Sequence, residues 1–348
     1  MSNFIVDASL LACPAPDAFS PKEFRPLFVG FLSRLTELAK LRLACKSIRF
    51  WSDDQLASVL VANNCYPFFY VLRKAFQHLP DQHEFQIEDI NVLATALIEK
   101  SRKLEEAGNV RDLVVSDCLL EGDPVANRIE AFRDYLCRVL ALALPVLGDN
   151  IEFAANTYLA TGGDNPKTAR VVATYTVLLI ERQDGSCTDS SKQYRVQIAS
   201  YSGAIALFRE ADLAAWWTSC TEEACVEVCA IRAASDHLQS WETFELVRGK
   251  LSLGPEFISS ANSCGFMHDR PKIDKLLRVC ADLALGRDAG SGHALRTGQG
   301  ANDPQMTRGK WHAWRHDIDY EFHLHYWKLG SRIELANVVV HNDFGISS

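Results

Sequence analysis

The stretch HDIDYEFHLHYW, residues 316–327, alternates apolar and polar side chains along most of its length. The apolar residues are Ile318, Tyr320, Phe322, Leu324 and Tyr326, and the polar ones, counted from just upstream, are Arg315, Asp317, Asp319, Glu321, His323 and His325. In a β-strand, side chains two positions apart point to the same face, so one set is buried and the other lies together. The pattern therefore predicts a strand that presents a row of polar groups.

A second strand follows. Gly330 and Ser331 supply turn chemistry, and residues 333–340 return as an apolar run that ends in His341. An antiparallel hairpin centred on Gly330 places His323 opposite Asn337 and Asp319 opposite His341. A slip of one residue would turn every side chain to the other face, so the sequence leaves the register open.

The polar face of this hairpin carries groups that suit phosphate chemistry. Imidazoles exchange protons near neutral pH, and a guanidinium stabilises a phosphate or its pentavalent transition state. We therefore predict Arg315, His323, His325 and His341 as catalytic residues. Two other interpretations stay open: an exposed strand face can be solvated surface, and a His-x-His pair can ligate a metal.

Basic and aromatic residues interleave just upstream of the hairpin. The predicted nucleic-acid-binding residues in this segment are Arg296, Arg308, Lys310 and Trp311. Arginine and lysine bind phosphates, and tryptophan stacks on unpaired bases. The alternative is that the tryptophans belong to a core and the charges to ordinary surface.

The chain of 348 residues is longer than most domains with a single hydrophobic core, so two structural units are expected. The predicted fold class is α+β. Residues 1–160 form a mostly helical unit with a few strands, and residues 168–348 form a mixed α+β unit that ends in an antiparallel sheet. The linker-like segment TGGDNP, residues 161–166, separates them.

Three local predictions depend on periodicity and capping. Ser52 is interpreted as the N-cap of a helix that runs through Leu60, residues 87–107 as one amphipathic helix, and residues 225–231 as a strand.

Composition narrows the class of protein. A net charge of -8 makes the chain a poor candidate for coating nucleic acid over its whole surface, although a local basic patch is compatible with it. The sequence lacks a signal-peptide pattern and a membrane-spanning run, and its 11 cysteines are scattered in apolar surroundings, which predicts buried reduced thiols. A cytoplasmic protein without membrane contacts is expected.

The order of elements near the end resembles the RelE/ParE-type toxin fold. A helix is followed by LRTG, KWHAWRHDI, EFHLHYWKL and IELANVVVH as four strands. Toxins of this type that cut messenger RNA use basic and histidine or tyrosine side chains on the sheet, without metal. This resemblance implies a role for Arg315, His323 and His325.

The N-terminal unit resembles PIN-type nucleases. FIVDASLL is similar to the first strand of these enzymes, which ends in an acidic residue. DINVLATALIEK is similar to a helix that begins with an acidic residue, and DLVVSD is similar to a later strand that ends in an acidic residue. Such enzymes gather carboxylates around divalent metal ions. The resemblance implies a metal site at Asp7, Asp89 and Asp117, with Glu37 as a fourth acid. A divalent metal ion is expected as a cofactor only if these acids form a site. Helix caps and strand ends also explain these aspartates.

Together these features predict a nucleic-acid-directed nuclease, most simply an RNA endonuclease of toxin or phage-defence type. RNA or single-stranded DNA and a regulatory protein are the expected partners. The alternatives are a non-catalytic protein that binds nucleic acid or a protein, and a metal-dependent hydrolase that uses the His-x-His strand. Phosphate-binding and serine-hydrolase motifs are absent from the sequence.

Overall fold

The computed structural model divides the chain into two compact units, Ser2–Glu210 and Ala211–Ser348. It describes residues 2–45, 48–79, 85–123, 125, 128–149, 157–160, 162, 168–201, 208, 211–218, 222–236, 241–287, 292–298 and 302–347. Sequence analysis places the boundary at 161–166, of which only Gly162 is among these residues. The structure places it between Glu210 and Ala211, because the two strands that follow the predicted linker, at 168–182 and 187–201, belong to the N-terminal sheet.

The N-terminal unit combines helices with one large sheet. Its strands are β1 (Ser2–Val6), β2 (Ile48–Ser52), β3 (Arg102–Lys103), β4 (Val110–Glu121), β5 (Thr157–Ala160), β6 (Thr168–Arg182) and β7 (Cys187–Tyr201). Its helices are α1 (Ala8–Leu11), α2 (Pro21–Ala44), α3 (Leu56–Ala62), α4 (Phe69–Phe76), α5 (Ile87–Glu99), α6 (Leu104–Gly108) and α7 (Glu130–Asp149), with a 3₁₀ turn at Pro16–Ala18.

The seven strands lie in the order β3-β2-β1-β5-β7-β6-β4. The first five of these are mutually parallel, whereas β6 and β4 continue the sheet as antiparallel strands. The chain moves from β1 outward to β3 and later returns to β5 on the other side of β1. Ligands of open parallel sheets bind at such a switch point, beyond the carboxyl ends of the strands.

Two of the local predictions for this unit are wrong. Ser52 ends strand β2 rather than capping a helix, and the helix starts at Leu56. The predicted helix 87–107 is interrupted after Glu99 by the short strand β3. Both differences arise because Phe50, Trp51 and Ser52 are buried in the parallel part of the sheet, where β3 adds to β2.

The C-terminal unit places helices beside a second sheet. Its helices are α8 (Leu213–Thr218), α9 (Glu222–Asp236), α10 (Trp241–Lys250), α11 (Phe257–Ser263) and α12 (Arg270–Leu285). Its strands are β8 (Leu251–Leu253), β9 (Gly292–Ala294), β10 (Thr307–Arg308), β11 (Trp311–Asp317), β12 (Phe322–Leu329) and β13 (Arg332–Val340). The predicted strand 225–231 lies inside α9, because its apolar run belongs to the buried side of a helix.

The second sheet has the order β10-β11-β12-β13-β8, with β9 also paired to β11. Strands β11, β12 and β13 form an antiparallel meander, and β8 joins β13 in parallel. The α+β class and the antiparallel C-terminal hairpin are thereby confirmed.

The alternating stretch that predicts one strand forms two. Strand β11 ends at Asp317, and β12 begins at Phe322 after a tight turn. Asp319 holds this turn: its carboxylate accepts hydrogen bonds from the backbone N–H groups of Glu321 and Phe322 and pairs with Lys275 at 2.9 Å. Across this turn Asp317 pairs with His323 and Arg315 with His325, so odd positions lie opposite odd positions and the polar residues of both strands stay on one face.

Phe322 marks the opposite face of this sheet. Its ring packs edge to face against that of Phe266, with the ring centres 5.2 Å apart, and Leu324 and Tyr326 are also buried.

Most of the described cysteines are buried, as the sequence predicts. Within the described residues, no helix is both long enough and apolar enough to cross a bilayer.

Candidate functional site on the C-terminal sheet

A row of four polar side chains runs across the C-terminal sheet. His293 on β9 pairs with Arg315 on β11, Arg315 with His325 on β12, and His325 with Asn337 on β13. Residues directly opposite each other on antiparallel strands project their side chains to the same face at about 5 Å. These residues, here called the cross-strand row, therefore bring a guanidinium, two imidazoles and an amide together.

A second set of groups adjoins the row. His323 pairs with Asp317, and its Nε2 lies 3.1 Å from the Asp317 Oδ1. The ring of His341 lies 4.5 Å from that of His323, and the His323 and His325 rings are 6.5 Å apart. The structure thus brings Arg315, His323, His325 and His341 to one region.

The register of the hairpin differs from the one drawn from sequence. Asn337 lies opposite His325 rather than His323, and His323 lies opposite Val339. A bulge beside His325 and Tyr326 shifts the pairing by one residue. Asp319 lies in the turn rather than opposite His341, whose backbone N–H bonds the Glu321 carbonyl.

Both histidines of β12 are buried, although an exposed face is expected for them. His323 is 1% exposed and His325 is 0% exposed. Residues 343–347, here called the covering segment, lie over this face: the Gly345 carbonyl accepts hydrogen bonds from His325 Nδ1 at 2.8 Å and from the Asn337 amide at 3.0 Å. The site is therefore assembled but enclosed.

The bond to Gly345 fixes the hydrogen on His325. A carbonyl oxygen only accepts, so Nδ1 carries the hydrogen and Nε2 of the neutral ring has a lone pair. Within the described residues, Nε2 has no hydrogen-bond partner. Burial lowers the pKa of His325 below its usual value, against the opposing effect of the Gly345 bond. His325 is consequently a neutral imidazole at pH 7, suited to accept a proton.

His323 differs from His325 in its neighbour. Burial lowers the pKa of His323, while the Asp317 carboxylate acts in the opposite direction. The described residues give neither ring nitrogen an aligned hydrogen bond, so the Asp317 contact is an ion-pair geometry that forms when the ring is protonated. Two adjacent imidazoles with different partners can serve as base and acid.

Arg315 is the cation of the site. Its guanidinium carbon lies 5.5 Å from the centre of the Phe344 ring in the covering segment. The described part of the chain records no carboxylate paired with it, which leaves its five N–H donors for an anion. Its charge also lowers the pKa values of His323 and His325.

The predicted nucleic-acid-binding residues have separate environments. Arg308 forms a two-pronged ion pair with Glu334, at 2.8 and 2.9 Å, and lies over the Trp327 ring at 4.8 Å. Trp311 packs against the core cluster of Leu295, Ala313, Trp327 and Ala336. Arg296 bonds the Asp303 carbonyl, and Lys310 is exposed in the turn before β11. Much of this segment therefore serves packing.

The three predicted metal-binding acids lie apart in the N-terminal unit. Asp7 follows β1 at the switch point and is 0% exposed, whereas Asp89 is exposed in the first turn of α5 and Asp117 is exposed on β4. Three strands separate β1 from β4, which at about 4.8 Å per step is roughly 19 Å. Asp7 and Asp117 therefore do not share an ion.

The carboxylate of Asp7 forms an ion pair with the guanidinium of Arg128. Arg128 donates to its two oxygens at 2.7 and 3.0 Å and also bonds Asp123. The Ser9 hydroxyl donates to the same carboxylate and accepts from the Gly162 N–H at 3.0 Å. A buried ion pair thus fills the carboxyl end of β1.

A different acidic group forms beside it. Asp53 follows β2 and Glu105 lies just after β3, and with Asp54 their oxygens lie within 4.8 Å of one another. Arg138 bonds Asp53 at 2.7 Å, and burial together with the Asp53 charge raises the pKa of Glu105 to about 8. In the described part of the chain this is the one set of three His, Cys, Asp or Glu side chains close enough to hold an ion. No histidine of the C-terminal sheet belongs to it.

Comparison of the chain with known protein families, with characterised proteins and with solved structures gives no match. Its function is therefore inferred from the chemistry of the assembled groups.

Proposed function

We propose that this protein is an RNA endonuclease that cleaves without metal at the cross-strand row. The observation that carries the proposal is the pairing of Arg315 with His325, with Asp317, His323 and His341 beside them. Arginine and two imidazoles are the groups that a phosphodiester transesterification needs.

In the proposed reaction His325 Nε2 takes the proton of a ribose 2′-hydroxyl. The 2′-oxygen attacks the adjacent phosphorus, and the bond from phosphorus to the 5′-oxygen of the next nucleotide breaks. His323 acts in its protonated form, in which Nε2–H pairs with Asp317 and Nδ1–H gives its proton to that leaving oxygen; because burial lowers the pKa of His323, this form increases as the pH falls. The products are a 2′,3′-cyclic phosphate and a free 5′-hydroxyl, so atoms and protons balance.

Arg315 supports this reaction through charge. The pentavalent phosphorus carries more negative charge on its oxygens than the ground state, and a guanidinium with unused donors stabilises it. Lys310, exposed before β11, adds a positive charge to which an RNA backbone binds, and His293, exposed at the end of the row, adds a hydrogen-bonding imidazole.

The test is cleavage of end-labelled single-stranded RNA in the presence of EDTA. The proposal expects cyclic-phosphate ends, no cleavage of the same oligonucleotide with 2′-O-methyl riboses, and loss of activity in His325→Ala. His312→Ala is the matched control, since His312 is an exposed histidine on β11 at an even position. Salt-sensitive binding without cleavage would instead support the non-catalytic alternative.

Chelator-sensitive cleavage that survives His325→Ala would place the chemistry elsewhere. The acidic group of Asp53, Asp54 and Glu105 would then be the first site to test. A regulatory protein partner also belongs to the proposal, because an enclosed site needs a means of opening.

A further inference from the structure

The covering segment makes its contacts with the groups that the proposed reaction uses. The Gly345 carbonyl oxygen lies between two donors, His325 Nδ1 at 2.8 Å and the Asn337 amide nitrogen at 3.0 Å. Phe344 places its ring over the Arg315 guanidinium at 5.5 Å. One oxygen held by two donors beside a cation is also the arrangement that binds a phosphate oxygen.

Ser347 anchors the far end of the segment. Its carbonyl accepts from Trp327 Nε1 at 2.7 Å, its hydroxyl donates to the Ala336 carbonyl at 2.9 Å, and its N–H donates to Asn337 Oδ1 at 3.4 Å. Ile346 packs against the core cluster that contains Trp327 and Ala336. The segment is thus attached by a few specific bonds.

The segment pairs with no strand, and residues 343–345 are exposed on their outer side. Beneath it, His325 has no exposed surface, and the neighbouring His323 is also buried. The Nε2 atom of His325 is itself buried in this closed arrangement, so an RNA chain cannot reach it. A segment held by a few hydrogen bonds at a protein surface opens at far lower cost than the fold itself.

We infer that the covering segment is an autoinhibitory element: residues 343–347 occupy the cross-strand row in the resting protein, and the Gly345 carbonyl takes the position of a substrate phosphate oxygen. That the Gly345 oxygen stands in for a phosphate oxygen rests on the proposed function, whereas the covering role of the segment does not. Asn337 is then a positioning residue: it holds the covering segment in the closed state and, in the open state, a substrate phosphate on the Nδ1 side of His325, away from the bond on which Nε2 acts.

The experiment uses the full chain and the variant Phe344→Ala/Ser347→Ala. It removes the ring over Arg315 and the Ser347 hydroxyl, and both side chains lie outside the reacting groups. Asn342→Ala, at an exposed position just before the segment, is the matched control. Thermal unfolding of each variant shows that the fold is retained.

The first readout is histidine modification by diethyl pyrocarbonate, quantified for each residue by mass spectrometry. We expect modification of His325 to accelerate roughly tenfold in the double variant, the factor that loss of about 1.4 kcal/mol of closing free energy produces, here from one hydrogen bond and the contact of the Phe344 ring with Arg315. His312, already exposed, and His316, buried at an even position of β11, act as internal references whose rates stay constant. An unchanged rate at His325 overturns the covering role.

The second readout is RNA cleavage in EDTA by the same proteins. A parallel rise in cleavage, abolished by adding His325→Ala, supports the covering role and the phosphate position together. Faster modification without cleavage retains the covering role and rejects the proposed function. Cleavage that is equally fast in wild type and double variant, with slow modification of His325 in both, rejects autoinhibition.

Discussion

His325 donates its Nδ1 hydrogen to the main-chain carbonyl of Gly345, with the two atoms 2.8 Å apart. This bond joins the central histidine of the C-terminal sheet to a segment twenty residues further along the chain. It fixes the tautomer of the ring, buries it, and leaves Nε2 as its proton-accepting atom. The remaining properties of the site follow from it.

The tautomer and pKa of His325 form the first prediction. Burial lowers the pKa of this ring, so it stays neutral below the pH at which an exposed histidine becomes protonated. Long-range ¹H–¹⁵N spectra should show the Nδ1–H form of His325 at pH 7 and a titration midpoint below the ordinary histidine value of 6.5. In Phe344→Ala/Ser347→Ala the midpoint should rise toward that value. A midpoint at or above 6.5 in the wild-type protein would contradict the enclosed geometry.

Replacement of Arg315 gives the second prediction. Arg315→Ala should reduce RNA cleavage roughly 10²- to 10³-fold, with most of the loss in kcat, because the guanidinium acts on charge that develops in the transition state. Arg315→Lys should recover only part of the rate, since a lysine cannot make a two-pronged contact with a phosphate. Single-turnover cleavage separates these effects from binding. A loss confined to KM would assign Arg315 to substrate binding.

Arg308 should behave differently, as the third prediction. Its pairing with Glu334 and its position over Trp327 are structural, so Arg308→Met should lower the free energy of unfolding by about 1–2 kcal/mol. Lys310→Met, two residues on and exposed, should change it by less than about 0.5 kcal/mol. Urea unfolding measures both. Equal and negligible effects would show that the Arg308 pair contributes no stability.

The buried acids of the N-terminal unit give the fourth prediction. The pKa of Glu105 is raised to about 8 from an ordinary value of 4.5, so between these values the folded protein binds more protons and its stability falls as pH rises. Glu105→Gln should therefore stabilise this unit at pH 9 by roughly 1–2 kcal/mol and have little effect at pH 5. Hydrogen exchange of peptides from β2, β3 and α7 measures the change.

Glu106→Gln is the control for that experiment, since Glu106 is the adjacent exposed acid. A stabilising effect of Glu105→Gln that is the same at pH 5 and pH 9 would mean that packing, rather than ionisation, is responsible.

The polar face of the C-terminal hairpin could be predicted from the sequence, because polar and apolar residues alternate there with a period of two. Within β12 the period of two places His323 and His325 on one face, and Arg315 joins them because the turn pairs Arg315 with His325 and Asp317 with His323. The register could not be predicted in the same way, because the bulge beside His325 leaves Ala336 without a partner on β12 and buried in the core cluster, and no local sequence pattern indicates this.

Other parts of the site have no sequence signal. The covering segment binds through the main-chain oxygens of Gly345 and Ser347, and any residue supplies a main-chain oxygen. His293 enters the row only because β9 pairs with β11. In the N-terminal unit, spacing along the chain gave no information on strand order, so Asp7 and Asp117 were grouped although three strands separate them.

The central claim is that the enclosed cross-strand row cuts RNA without metal, and single-turnover cleavage in EDTA by Phe344→Ala/Ser347→Ala, with and without His325→Ala, tests it most directly. The account predicts products with 2′,3′-cyclic phosphate ends and a loss of at least roughly 10²-fold on removing the imidazole, the contribution typical of a general base. Cleavage that requires a divalent metal and is unaffected by His325→Ala, or no cleavage by the opened variant, would contradict it.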